Sequence, residues 1–499
     1  MGRSNKMSNR ESTREYFRRL WEYRHHDEDK PEEIHPDDRE REHVPDDERE
    51  PWQVKLKKPI KLPEGVQRII DAFNSKEIKG DIEAELHKDR PNPHLYSLGK
   101  VFGTKLQSLD KDERKELKVA NAKVYVTGGA VRDHLMSLYK PEKLHKGPRN
   151  WNLVTDARPQ VIQLILLNAD PAIPCKRTGP ATVVAEVDGK TYEIETFHEV
   201  PDGAKENDSE NYTIFSTPFR DSKRRDFRIN ALRYDPVKQV ILDDLGGFGD
   251  ITPEGKLFFR PTKGTPKELF KKNPKAALRC LRLHAKLVGG GLDTLDPDVA
   301  EALMSCRLPE DMKPGEVLDE FMTGLKSADD QNHFVKNWAK AGGLGGAKFV
   351  QKVFPGLDVS EDMDLPNNTH PHVALAMALK GNQSDKVDSV RTAMKKAGFP
   401  AEAVNDVVFL LGLGKFNDPS SVEDFNKSYD YGISRLVPSA VANFANWSKL
   451  PNAKLIQSFL KHKTAGRDNP RTDDLPDGEK KAGASERLQK DFKQFSGMK

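Results

Sequence analysis

Hydrophobic positions recur along this chain with two periods, and the change from one to the other falls near Phe270. Before it, short apolar runs alternate with polar residues as strands do: Val124 to Val126, ATVVAEV at 181–187 and KTYEIETF at 190–197. The last two are joined by Asp188-Gly189, a pair suited to a tight hairpin turn. Between these runs, VQRIIDAF at 66–73, Ala130 to Leu138 and Gln160 to Asn168 show helical composition. Beyond Phe270 strand patterning nearly vanishes, and PKELFKKNPKAALRCLRLHAKLV, PGEVLDEFMTGLKS, VALAMALK and LIQSFLKHK read as helices. The pattern predicts an α+β chain, with a small mixed-sheet head carrying helices on one side and an all-α half behind it.

Length and charge refine this. A chain of 499 residues, 32% of them charged, has room for several cores and much solvated surface. Residues 1–60 are expected to be mostly disordered. They hold one candidate helix, Ser12 to Tyr23, whose Tyr16, Phe17, Leu20 and Trp21 form an aromatic stripe suited to a protein partner. An acidic block with the near-repeats PDDRERE and PDDERE follows, a composition that stays solvated. Ala341 to Gly346 marks a break between helices, and the stretch from Gly466 reads as a flexible tail. No apolar run is long enough to span a membrane, and the first residues lack the apolar core of a signal peptide. Cys175, Cys280 and Cys306 are odd in number and far apart, which excludes a disulfide framework and a four-cysteine zinc site and points to a reducing, cytoplasmic-type compartment.

Candidate chemistry gathers around residues 124–159. A β-prone run, the pair Gly128-Gly129 and a helix follow one another, so backbone can approach a phosphate where free N–H groups and Arg132 offer positive charge. GGAVRDHL, then RNWNLVTDARP, YEIETFH, RRDFRINAL, DDLGGFGD and NPKAALRCLRLHAKL, in that order over roughly residues 121–290, resemble the tRNA nucleotidyltransferase (CCA-adding enzyme) and poly(A) polymerase family, a class II nucleotidyltransferase family. The resemblance implies a helical lead-in at 61–120, a nucleotidyltransferase head at 121–262, a nucleotide-facing helical neck at 263–345, an RNA-binding helical body and tail at 346–465, and a C-terminal tail at 466–499. In the second half the match is weak apart from VFPGL at 353–357.

It also implies transfer of a nucleotide from ATP or CTP to an RNA 3′ end, with Mg²⁺ held by carboxylates near the α-phosphate. The matching catalytic and metal positions are Asn150, Asn152 and Glu193, so two of the three carboxylates are replaced by amides. Glu195 projects two residues beyond Glu193, and Asp156 lies further along its own strand. The resemblance makes Gly128, Gly129, Arg132, Asp133, Arg224, Arg225, Asp226 and Asn230 nucleotide-binding, with Asp133 in a supporting part and Arg228 in place of the usual small hydroxyl residue. It treats Asp243, Gly246, Gly247 and Asp250 as structural. In the neck it assigns Arg279 and Arg282 to the nucleotide, whereas the expected acid and first arginine are Asn273 and Ala276; in GEVLDEF the base-reading acid falls on Glu316 and its arginine on Val317.

Basic residues cluster at Arg220 to Arg233 and again at Lys267 to Lys286, and Lys271, Lys272 and Lys275 are the candidates for RNA phosphates. His370 and His372 stand at strand spacing, but no acidic motif accompanies them, and a loop before a helix accounts for them. Two functions fit the pattern. One is an RNA 3′-end nucleotidyltransferase acting on tRNA or another 3′ end; the other is a non-catalytic descendant that binds RNA or nucleotide, or serves as a structural subunit.

Overall fold

The computed structural model describes residues 50–467 apart from 57, 87–118, 120–121, 140–149, 200–213, 253–255, 308, 310–311, 313, 329, 342–363, 367–368, 381–386 and 433–435. The Ser12 to Tyr23 stripe, the acidic block, all but the first residue of the 341–346 break, VFPGL and most of the C-terminal tail lie outside these residues. The chain forms two compact units, Met1–Thr265 and Pro266–Lys499.

The first unit is built on one sheet. Its strands are β1 (Trp52–Lys55), β2 (Val124–Thr127), β3 (Asn152–Thr155), β4 (Cys175–Arg177), β5 (Thr182–Val187), β6 (Lys190–Thr196), β9 (Arg233–Asp235) and β10 (Val240–Asp243), in the order β1-β10-β9-β2-β3-β6-β5-β4. A separate two-stranded pair joins β7 (His198–Glu199) to β8 (Ile214–Phe215). Every pairing in the large sheet is antiparallel except β3 with β6. The β5–β6 hairpin turns at Asp188 and Gly189, both at positive φ (52° and 70°), as a two-residue loop matched to strand twist requires. Strand β1 corrects the expectation of disorder up to residue 60: it pairs with β10, and Val54 and Ile60 are buried.

The helices of this unit are α1 (Glu64–Asn74), α2 (Lys76–Leu86), α3 (Gly129–Tyr139), α4 (Pro159–Leu167), α5 (Pro218–Lys223) and α6 (Arg228–Ala231). Helix α4 starts at a proline, whose missing N–H costs nothing at a first helical position. It buries Val161, Ile162, Leu164, Ile165 and Leu166 against β5 and α1, an apolar load that fixes one face of the sheet. Helix α5 is capped by the Thr217 hydroxyl, which accepts from the Arg220 N–H, and carries Pro218 in its first turn.

The second unit is helical throughout its described residues: α7 (Pro266–Lys272), α8 (Pro274–Leu287), α9 (Pro297–Ser305), α10 (Pro314–Ser327), α11 (Gln331–Lys340), α12 (Pro371–Lys380), α13 (Val387–Lys396), α14 (Ala401–Leu411), α15 (Val422–Gly432), α16 (Pro438–Trp447) and α17 (Ala453–Arg467). Helix α8 packs on α10 and α11, where Phe321, Phe334 and Trp338 form an aromatic cluster with centroids 4.9–5.6 Å apart. Helix α12 is buried from Val373 to Leu379, so it reads as apolar all round rather than amphipathic. The change of period near Phe270 thus coincides with the boundary between the units.

Candidate nucleotide site

The site forms where β2 ends. Gly128 has φ +71°, a left-handed conformation that a side chain makes costly, and α3 begins at the next residue. A side chain on Gly128 would start 4.0 Å from Arg225 Nη1, and one on Gly129 would start 3.3 Å from Arg132 Nη2. Two guanidiniums therefore flank the glycine turn.

They are held differently. Arg132 is buried, and donates from Nε and Nη2 to Asp133 Oδ1 at 2.9 and 2.6 Å and from Nη1 to Asn230 Oδ1. Asn230 in turn donates to Asp226 Oδ1 (2.8 Å), which also accepts the Phe227 N–H at 2.8 Å. These bonds hold the guanidinium against the turn, with Nη2 beside Gly129, and leave a second N–H on each terminal nitrogen. Asp133 and Asn230 belong to the same buried network, which ties α3 to α6 through charge-assisted hydrogen bonds.

The strand ends supply the second half of the site. In the parallel pairing of β3 with β6, Asn152 stands opposite Glu193, Leu153 opposite Ile194 and Val154 opposite Glu195. Leu153 and Ile194 are fully buried, whereas Asn152 and Glu193 are exposed on the other face. Adjacent strands lie about 4.8 Å apart, so the amide and the carboxylate are neighbours. Asn150, also exposed, precedes Asn152 by two residues. Asp156 is turned to a structural task, accepting the Lys123 N–H at 2.8 Å.

Glu195 takes no part in that exposed pair. Its Oε2 lies 2.7 Å from Arg224 Nη2; burial favours its neutral form, but Arg224 and Arg225 outweigh that and hold its pKa below the usual range. The hub of this cluster is Asp221, a residue absent from the expectations above. It accepts from Arg224 Nε at 2.8 Å and Arg225 Nη2 at 3.2 Å while itself almost fully buried. Asp221 on α5 stands three and four residues before Arg224 and Arg225, just past the helix end, and that spacing was the available signal. Burial opposes ionisation of Asp221, yet the Arg225 and Arg224 charges win and bring its pKa down to about 2.

A test follows from that depression. A carboxyl whose folded pKa lies below its unfolded value of 3.8 adds stability above that value and loses it as pH falls toward the folded pKa. Asp221 should contribute about 2 kcal/mol at neutral pH, fading between about pH 4 and pH 2. Asp221→Asn should melt earlier at pH 7 and show a flatter stability profile over that window, measured by thermal unfolding at a series of pH values. An unchanged profile would mean that the two arginines do not depend on it.

The elements beneath are equally determined. Asp243 accepts N–H groups from Leu245, Gly246, Gly247 and Phe248 at 2.8–3.1 Å, folding DDLGGFGD into a nest against α6. Buried Arg233 pairs with Asp244 Oδ2 at 2.6 Å between the rings of Tyr125 and Phe197, and the Ser222 hydroxyl donates to the same carboxylate. That pair anchors α5 to β9.

In the helical unit, Arg279 and Arg282 both lie on α8 against one acid, and that acid is Glu320 rather than Glu316. Arg279 Nε is 3.5 Å from Glu320 Oε1, Arg282 Nε pairs with Oε2, and Glu320 is buried while Glu316 is half-buried. Glu316 lies one helical turn before Glu320 on α10 and takes no part in this pairing. Asn273 caps α8 by accepting the Ala276 N–H at 3.3 Å, and Ala276 and Val317 are core residues, 1% and 3% exposed. Lys271 and Lys272 are exposed at the end of α7, and Lys275 is half-buried in the first turn of α8. His372 finds the acid its neighbourhood in sequence lacked: its Nδ1 hydrogen-bonds Asp406 of α14. Among the described residues no group of three or more His, Cys, Asp or Glu side chains is disposed to hold a metal ion.

A glycine turn thus opens a helix beside an amide and a carboxylate that stand side by side on parallel strands. Comparison with known proteins makes this specific. Residues 124–255 match the poly A polymerase head domain. Poly(A) polymerase I of Salmonella typhi is 25% identical over 226 residues, 43% of this chain and 44% of that protein, so the chain matches less than half the length of such relatives. The CCA-adding enzyme of Lactobacillus johnsonii is 25% identical over 350 residues, covering 68% of this chain and 80% of the enzyme. Among solved structures, a Bacillus stearothermophilus CCA-adding enzyme in complex with CTP aligns over 81% of this chain and 83% of its own, at 19% identity and a TM-score of 0.46. The chain thus carries a match to the poly A polymerase head domain over residues 124–255 and is similar in sequence to poly(A) polymerases and CCA-adding enzymes.

Proposed function

We propose that this protein binds a nucleoside triphosphate, ATP or CTP, at the glycine turn and an RNA 3′ end, tRNA or another, on its basic helices, with nucleotidyl transfer severely slowed. The observation that carries this reading is the register of Asn152 against Glu193 beside the Gly128 turn. The place for a nucleotide is kept, while the charge that transfer needs is reduced. Three buried free thiols support a reducing, cytoplasmic compartment, and no described helix is long and apolar enough to cross a membrane.

Mg²⁺ is the ion the family implies, and the residues do not fit a two-ion site. Two bound ions need carboxylates to offset their mutual repulsion, and Asn150, Asn152 and Glu193 supply one carboxylate with two neutral amide oxygens. What the chain's own groups do is bind and orient. Arg225 is held at the turn by Asp221, and Arg224 is fixed between Asp221 and Glu195.

A second reading, a purely RNA- or nucleotide-binding subunit, is favoured by the helical unit, where Asn273, Ala276 and Val317 now serve capping and packing. The first reading and the RNA-binding form of the second both require RNA affinity. Filter binding at rising salt should show a steep fall in affinity, and replacing Lys271, Lys272 and Lys275 together by Ala should reduce the log–log slope by about 2 for single-stranded RNA. Asn150→Ala should leave the slope unchanged. Affinity that is absent at low salt, or indifferent to salt, would exclude the enzyme and the RNA binder and favour a scaffold role.

A further inference from the structure

We infer that the site beside the glycine turn takes its nucleoside triphosphate without a divalent ion. This rests on the nucleotide-binding reading above, and it concerns the charge and hydrogen-bonding character of three side chains.

Asn152 and Glu193 are exposed neighbours on β3 and β6, and among the described residues neither side chain is engaged by another protein group. Asn150 stands two residues ahead. With aspartates at both positions, three carboxylates would face an anionic triphosphate, and a cation would be needed to hold like charges together. Two amides remove two negative charges, which is the charge one divalent ion would bring. The balance that a metal supplies to an all-carboxylate site is therefore largely built into this one.

The amide adds what a carboxylate lacks. Ionised Asp only accepts hydrogen bonds, whereas the Asn NH₂ donates two, so Asn150 and Asn152 can donate directly to phosphate oxygens. Positive charge is already in place nearby: Arg225 flanks Gly128, and Asp221 fixes Arg225 and Arg224 side by side. Glu193 is the one carboxylate of the three, so an ion carried in by the nucleotide gains a single anionic anchor.

The test is calorimetric titration of the full chain with ATP, and separately with CTP, once in EDTA and once in excess Mg²⁺. The dissociation constant in EDTA should equal or fall below that in Mg²⁺, to within about threefold. The Asn150→Asp/Asn152→Asp variant, checked for an unchanged melting temperature, should bind about tenfold or more weakly in EDTA and recover in Mg²⁺. Binding by the unmodified chain that is about tenfold tighter with Mg²⁺ would overturn the inference while leaving the nucleotide site in place. A variant as indifferent to the ion as the parent would overturn it too, because charge at these positions would then be irrelevant. Failure of both proteins to bind under either condition would instead sink the nucleotide-binding reading on which the inference stands.

Discussion

With Mg²⁺ and ATP or CTP, the unmodified chain should extend a tRNA 3′ end at least about a hundredfold more slowly than its Asn150→Asp/Asn152→Asp variant. Phosphoryl transfer gains most of its rate from charge placed around the reacting phosphate, and each missing carboxylate removes a full unit of it. The rest of the head is ready to receive the restored groups: Glu193 is already opposite position 152, and the arginine pair is fixed on Asp221. Primer-extension gels read the difference directly. Brisk extension by the unmodified chain would refute the slowed-transfer proposal. A restored variant that stays inert would place the defect in the helical unit, where Ala276 and Val317 leave the expected arginines missing, and would favour the binding-only reading.

Gly247→Ala should be the most damaging single methyl group in the head. A Cβ there would lie 2.2 Å from the Arg228 carbonyl oxygen and 2.5 Å from its carbon, and both are backbone atoms of α6. No rotamer change relieves such a contact, so α6 must move and carry Asn230 away from Arg132 and Asp226. The expected cost is about 3 kcal/mol, lowering the melting of the head by about 6–12 °C. Nucleotide affinity should fall in parallel. Gly80→Ala is the control, since nothing lies within 4 Å of its added methyl and helix propensity favours the change. Equal melting of the two variants would show that α6 and the nest below it are not rigidly joined.

What the sequence made legible was the part governed by local pattern. Alternation at 181–187 and 190–197 with Asp188-Gly189 between them foretold the β5–β6 hairpin, and the period change near Phe270 foretold the boundary between the units. Motif spacing placed the glycine turn and made Glu193 the partner of Asn152. What stayed hidden were the partnerships made across the fold. The motif around Arg132 says nothing of the Asn230 amide that receives it, 98 residues away. The pairing of Arg279 and Arg282 with Glu320 was not legible because a spacing rule does not say which turn of α10 faces α8. His372 lacked an acid within its motif, and Asp406 reaches it only through the packing of α12 on α14. Strand β1 was missed because four residues next to a charged run carry little periodic signal, and its stability comes from β10 rather than from itself.

That short strand also bears on how the molecule survives at high concentration. Without it, β10 would end the sheet with Val240 to Asp243, an apolar run whose free N–H and C=O groups form a template for cross-pairing between molecules. Trp52–Lys55 occupies that template from within the same chain. The opposite margin is protected by other means, since β4 is only three residues long and exposes Lys176 and Arg177. Loss of residues up to Lys55 would leave the glycine turn and the Asn152–Glu193 pair in place, yet it would bare the β10 edge as a seed for aggregation.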